Sequence, residues 1–268
     1  MRAKKSKQTV LVFGADGRMG QEICSLLAVH KDLSLGASVD RHEIKAHDAK
    51  HTAVLKPTPS SLDAVLAGVD VVIDFSTPSG TENLLKSLRK ANKKTVLIGT
   101  TGLDKKIKSD IQKVARTGDH KILIAGNTSV GIFTLAKLAV SAAKTLAPLG
   151  FDIEITETHH RMKADAPSGT ALLLAGVIKN AVQDSTIDFN REGARKKNSI
   201  GIQSVRGGGV FGEHEIRLIS DDEEVSISHR AFSRALFAKG ALTLALEIGI
   251  KVPAGKALEL SEFILAKN

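Results

Sequence analysis

Tryptophan and tyrosine are absent from the 268 residues, cysteine occurs once, and nine phenylalanines are the only aromatic carbocycles. Without such rings a single-stranded nucleic acid has little to stack on. The formal charge of +9, from 38 Lys and Arg against 29 Asp and Glu, is therefore not read as a nucleic-acid footprint. Cys24 alone cannot close an internal disulfide, so an oxidising compartment would contribute nothing, and the cytoplasm is the expected location. Uninterrupted apolar runs such as Ala171 to Ile178 fall short of the roughly 18 to 20 residues that cross a bilayer, so no membrane association is expected. Met1 to Thr9 carries Arg2, Lys4, Lys5 and Lys7 with no apolar stretch behind them and reads as a short solvated basic tail, not a secretory signal. What is present is an ordinary globular composition, 42% apolar, in a chain long enough for one large or two modest domains.

Up to about residue 127, short apolar runs alternate with helical patterns. Val10 to Phe13, Leu35 to Val39, Val69 to Phe75, Thr95 to Ile98 and Ile122 to Ala125 are nearly continuous, as strands covered on both faces are. Helical spacing occupies Met19 to Val29, Thr81 to Ala91 and Asp104 to Ala115. This is the signature of βαβ units: an α/β fold with a Rossmann-type, doubly wound parallel sheet. A helix over Phe133 to Ala147, stopped by Pro148 and Gly150, precedes a change of pattern. From Phe151 the strands alternate, as in Asp152-Ile153-Glu154-Ile155 and Glu224 to Ser228, which predicts a second, α+β domain on a mixed, largely open-faced sheet. Arg41 to Lys50 and Asn190 to Ser199 read as polar connections. A last helix, Ser233 to Gly249, is expected to return to the first domain. The expected division is a dinucleotide domain over 1–130 completed by 240–268, and a substrate and oligomerisation domain over 131–239.

The strand ending at Phe13 runs straight into Gly14-Ala15-Asp16-Gly17-Arg18-Met19-Gly20 and then a helix. Glycines permit a tight turn and close approach of a pyrophosphate to the free N–H groups of the helix start. Asp40 closes the second strand twenty residues after Gly20, where an acid meets the adenosine ribose, and Arg41 beside it suits a 2′-phosphate, so NADH and NADPH both remain open. Gly99-Thr100-Thr101 and Ala125-Gly126-Asn127-Thr128 follow strands that end at the same sheet edge, where ligands of such sheets bind.

The densest chemistry lies in Glu154 to Ala171, with His159, His160, Arg161, Lys163, Ser168 and Thr170 between a strand and a helix. Pro167 and Ser168 start that helix, placing the N–H groups of Gly169 and Thr170 at its first turn, where a carboxylate is welcome. Lys163 adds a charge-assisted contact and His159 a group that titrates near neutrality. Metal is not expected: adjacent histidines diverge, His47 and His51 lack a carboxylate shell, and His214 reads as a strand residue.

Glu154 to Ala171, through Glu157, His159, Lys163, Asp165 and Pro167-Ser168-Gly169-Thr170-Ala171, resembles the signature of the dihydrodipicolinate reductase family. Gly14 to Gly20, Asp74-Phe75-Ser76, Gly99 to Gly102, Asn127 with Ser129 to Gly131, Gly212-Glu213-His214, and Ser233-Arg234 with Phe237-Ala238 extend the resemblance along the chain. It implies an NADH- or NADPH-dependent oxidoreductase of diaminopimelate and lysine biosynthesis, a small dicarboxylate substrate and a homotetramer. His159 would be the proton donor or acceptor and Lys163 a second donor. His160, Ser168, Gly169 and Thr170 would hold the substrate. Asp40 stands where many members have Glu, Thr128 replaces a frequent aromatic, and Met162 a frequent His. The alternatives are a related NAD(P)-dependent amino-acid dehydrogenase and a dinucleotide-binding redox sensor.

Overall fold

The computed structural model describes residues 6–47 and 52–266. Arg2, Lys4, Lys5 and His51 lie outside them. Lys7 does not belong to a free tail: its Nζ donates to the carbonyl of His30 at 2.6 Å, next to the first strand.

The chain forms two compact units, one comprising residues up to Thr128 with Phe237–Phe263, the other Ser129–Leu236 with the residues from Ile264. In chain order the first contains β1 (Gln8–Phe13), α1 (Arg18–Leu27), β2 (Leu33–Val39), β3 (Ile44–His47), β4 (Thr52–Leu55), α2 (Pro59–Ala67), β5 (Val71–Asp74), α3 (Pro78–Leu88), β6 (Thr95–Ile98), α4 (Lys105–Thr117) and β7 (Lys121–Ile124). The second holds α5 (Val130–Leu146), β8 (Asp152–His159), α6 (Gly169–Ala181), β9 (Thr186–Phe189), β10 (Ser199–Arg206), β11 (Glu213–Ile219) and β12 (Glu224–Arg230). The chain then continues through α7 (Ala235–Lys251), β13 (Lys256–Glu259) and α8 (Leu260–Leu265).

The first unit is built on an eight-stranded sheet in the order β13-β7-β6-β5-β1-β2-β3-β4. The predicted parallel strands form its centre. Val10, Leu11, Val12, Val71, Val72, Ile73, Val96, Leu97 and Ile98 are fully buried, as a sheet covered on both faces demands. Two expectations need correction at its edges. The stretch after Arg41 is not merely a polar connection: β3 pairs antiparallel with β2 and β4 antiparallel with β3, with Ile44 buried and Lys45 and His47 alternating against it. Pro59–Ala67 form α2, a helix the sequence expectation lacked, begun by Pro59 and by a reciprocal cap between Thr58 and Ser61. On the other edge β13 pairs parallel with β7, and the Gln112 side chain of α4 donates to the Ala257 carbonyl at 2.8 Å.

The second unit carries the mixed sheet β12-β11-β8-β10-β9, parallel across β8, β10 and β9 and antiparallel across β8, β11 and β12. Ile153, Ile155, Ile200, Ile202, Ile216 and Leu218 are buried on one face, where α5 and α6 pack, while alternate residues such as Glu154, Thr156, Glu215 and Arg217 are half-buried on the other. Within the connection Asn190 to Ser199, Arg191 and Arg195 both pair with Glu154, and Arg195 also pairs with Asp152 at 2.8 Å. One helix departs from the expectation about membrane spans. Val130–Leu149, α5 with its 3-10 extension, has the length and, at mean hydropathy 1.4, the apolarity to cross a bilayer. Here Ile132, Leu135, Ala136, Ala139 and Ala143 form a buried stripe on this helix, which packs on α6 within this unit.

Candidate active site

In the first unit the glycine turn closes on itself. Gly14 adopts φ +84° and a Cβ there would lie 2.6 Å from the Phe75 carbonyl oxygen, while one on Gly20 would meet the Gly14 carbonyl at 2.2 Å. Both are positions where only glycine lets the strand turn sharply into a helix. Gly17 caps α1 without a side-chain hydrogen bond, so no side chain covers the donors of its first turn. A cleft of about 830 Å³ opens beside this turn and is lined by Gly14, Asp16, Gly17, Asp40, Arg41 and Lys86 among others. Asp40 accepts from the Asp16 N–H at 3.0 Å and from the Arg41 N–H at 2.6 Å. The backbone N–H of Asp16 thus anchors the acid of the second strand to the glycine turn.

Arg18 is exposed, Met19 half-buried and Ala15 buried. Gly99 and Thr100 follow β6 and Ala125 follows β7, all three buried, whereas Thr101 and Gly126 are exposed. A Cβ on Gly126 would lie 3.6 Å from Thr101 Cγ2, so the two loops adjoin. Asn127 is half-buried, and Thr128, buried, donates its hydroxyl to the Phe237 carbonyl at 2.7 Å, tying β7's loop to α7. At the end of β5, buried Asp74 accepts from the Ser76 and Thr81 hydroxyls, both at 2.6 Å, and burial raises its carboxyl pKa.

In the second unit β8 delivers Glu157 and His159 to its buried face by strand alternation. Glu157 is fully buried and accepts from both Arg206 terminal nitrogens, at 2.9 and 2.7 Å, from His159 Nδ1 at 2.5 Å and from the Ser168 N–H at 3.1 Å. Burial pushes its carboxyl pKa up, but these donors, Arg206 first, outweigh burial and bring it down to about 2. An ionised carboxylate only accepts, so the Nδ1 of His159 carries the hydrogen and Nε2 is the nitrogen turned away from Glu157. Burial holds the His159 pKa below the usual imidazole value, opposed by Glu157 and assisted by Lys163 and Arg206.

His160 is half-buried and its N–H donates to the Val210 carbonyl at 2.8 Å. Lys163 reaches Asp165 at 2.8 Å. Ser168 caps α6 through a bond from the Ala171 N–H at 3.1 Å, and its hydroxyl also meets His214 Nε2 at 3.2 Å. With 1% of its surface exposed, Ser168 serves as the platform that presents Gly169 and Thr170 at the helix start. Three further residues complete the surroundings of His159: Arg206, which the sequence did not single out, and His214 and Gly212, which it named only within the family resemblance, His214 as the strand residue it is. Arg206 comes from the far end of β10, and His214 from β11, its ring 5.2 Å from that of His159 and burial pushing its pKa down to about 3. The third is Gly212, where a Cβ would lie 3.0 Å from His159 Nε2, so the missing side chain leaves room at that nitrogen. The run Gly207-Gly208-Gly209 with Gly212 was the available signal. Among the described residues no His, Cys, Asp and Glu cluster has the makings of a metal site.

The comparisons with known proteins agree along the whole chain. The family model "Dihydrodipicolinate reductase, N-terminus" matches residues 8–128 and "Dihydrodipicolinate reductase, C-terminus" residues 131–264. The 4-hydroxy-tetrahydrodipicolinate reductase of Aquifex aeolicus is 36% identical over 261 residues, covering 91% of this chain and 94% of that one. That of Helicobacter pylori strain Shi470 is 38% identical over 255 residues, covering 94% and 97%. Among solved structures, the dipicolinate-bound dihydrodipicolinate reductase of Paenisporosarcina sp. TG-14 superposes with a TM-score of 0.74 at 23% identity, over 96% of this chain and 99% of that one. The glycine turn, the His159 to Thr170 loop and these matches converge: the chain belongs to the dihydrodipicolinate reductase family of NAD(P)H-dependent oxidoreductases.

Proposed function

We propose that this protein reduces 4-hydroxy-tetrahydrodipicolinate to tetrahydrodipicolinate with NADH or NADPH and releases water, the step its curated relatives are named for. The observation that carries this reading is the pairing of a proton-exchanging His159 Nε2 with the anion-binding start of α6 on one short loop.

The dinucleotide is assigned to the first unit. Gly14 to Met19 would hold its pyrophosphate, Asp40 and Arg41 its adenosine ribose, and Gly99 to Thr101 with Ala125 to Thr128 the remaining half. The glycine cradle, which a Cβ would fill, and the uncapped start of α1 fit such a group. When bound, it supplies the hydride. The second unit is assigned the substrate, with Gly169, Thr170 and His160 receiving carboxylates and Lys163 a charge-assisted contact. His159, once Nε2 has taken up a proton from solvent, passes it on as negative charge develops on the substrate, and Lys163 gives a second to the departing hydroxyl. The ring carbon beside the departing hydroxyl gives up one proton to solvent as the double bond forms, so two protons supplied, one returned and one hydride balance the reduced ring and the released water.

The half-buried polar face of β8 and β11, with Val205 exposed beside Thr158 on the adjoining β10, supports assembly of this sheet into a homotetramer. The cytoplasm, where both dinucleotides are supplied, is the assigned location. The test is calorimetric titration of pyridine-2,6-dicarboxylate into the NADH-loaded protein. Saturable binding that is weakened at least about tenfold by Lys163→Ala is expected; absence of binding would leave a dinucleotide sensor instead.

A further inference from the structure

The geometry points to Glu157, clamped by Arg206, as the positioning residue that fixes the His159 imidazole in its Nδ1–H tautomer and thereby makes Nε2 the nitrogen that exchanges protons. Glu157 need not touch His159 to be satisfied. Arg206 binds both of its oxygens and the Ser168 N–H adds a third bond, so the buried carboxylate is already compensated. The His159 contact, at 2.5 Å, is additional and is the shortest of the four. Its effect falls on the imidazole: with Nδ1 engaged, the other nitrogen faces the gap left by Gly212.

Arg206 does a second thing. The same guanidinium donates to the Asp165 carbonyl at 2.5 Å, and Asp165 is the partner of Lys163. The strand register puts Arg206 opposite His159 and His214 opposite Glu157, so three neighbouring strands hold the group. One ion pair therefore supports both the histidine and the lysine arm of the loop. A ligating or catalytic histidine commonly has its tautomer set by the group on its other nitrogen, and its loss lowers function without altering the reacting atoms.

The kinetic half of the test rests on the reductase reading and the spectroscopic half does not. In long-range proton–nitrogen NMR spectra of protein labelled on histidine nitrogens, with His159 assigned through H159N, neutral His159 is expected as Nδ1–H. In E157Q the amide can donate to Nδ1, and the Nε2–H form should appear. In turnover, E157Q should lower kcat at least about tenfold, with KM for cofactor and substrate changed less than about threefold. The histidine limb of the pH profile should move to lower pH, because an anion that favours the imidazolium has gone. Glu157, Lys163, Arg206 and His214 are the titratable or charged groups that face His159, and only the first is altered. Should E157Q fail to fold, R206K, which keeps the charge and loses the two-pronged grip, should lower kcat in the same way. A wild-type His159 protonated on Nε2, or an E157Q enzyme with unchanged kcat and pH limb, overturns the inference. A wild type with the Nδ1–H form but no turnover counts against the reductase reading alone.

Discussion

At the scale of single residues the site is a set of commitments made by one nitrogen or one oxygen. His159 has its Nδ1 bound and its Nε2 turned toward Gly212, so on the proposed reading His159→Ala would remove the proton route and Lys163→Ala the second donor. Each should lower turnover at least about a hundredfold in a steady-state assay. Gly212→Ala places a methyl 3.0 Å from His159 Nε2 and should depress kcat while leaving dinucleotide binding, followed by nicotinamide fluorescence, unchanged. The residues assigned this chemistry can be named from the sequence, because His159, Lys163, Gly169 and Thr170 lie within one short stretch and a Pro-Ser pair announces the helix start. Their supporting contacts cannot. Arg206 and His214 stand 49 and 46 positions from their partners Glu157 and Ser168, and only the pairing of β8 with β10 and β11 brings them together.

Among the elements, α6 depends on a cap that does two jobs. Ser168→Ala removes the bond from the Ala171 N–H and the partner of His214 Nε2, which should cost about 1 to 2 kcal/mol in urea unfolding. Substrate KM should rise, since Gly169 and Thr170 belong to the same first turn. Asn at this position, another good cap, should recover most of the stability. The central parallel strands were readable as continuous β-branched runs. The missed β3, β4, β9 and β13 have four residues each, and β13, Lys256-Ala257-Leu258-Glu259, holds only two apolar ones. Such strands are set by the edge they dock on. Ala257 is 4% exposed against β7, and a chain ended after Pro253 should lose at least about 5 °C in thermal midpoint as that edge opens.

For the molecule as a whole, buried titratable groups make acid the direction of weakness. Glu157 has its pKa lowered from 4.5 to about 2, so its contribution is present above the unfolded value and is lost as pH falls through the folded one. His214, lowered from 6.5 to about 3, stays neutral in the fold while the unfolded chain takes up a proton, so stability falls from about pH 6.5 downward. Burial lowers His120 in the same sense. Together Glu157 and His214 should cost on the order of several kcal/mol between pH 7 and pH 3, read as a falling urea midpoint, and His214→Asn should flatten that fall. The positive net charge acquires a local meaning too: Arg41 lines the cleft assigned to the dinucleotide, and Lys163 lies in the loop assigned to the substrate carboxylates. That assignment is tested most directly by following nicotinamide absorbance, with NADH and NADPH in parallel, as the protein is supplied with 4-hydroxy-tetrahydrodipicolinate generated in place by its synthase. Oxidation of at least one dinucleotide that starts only when the synthase product forms, and that His159→Ala abolishes, is the predicted result; no oxidation of either dinucleotide by folded protein would contradict it.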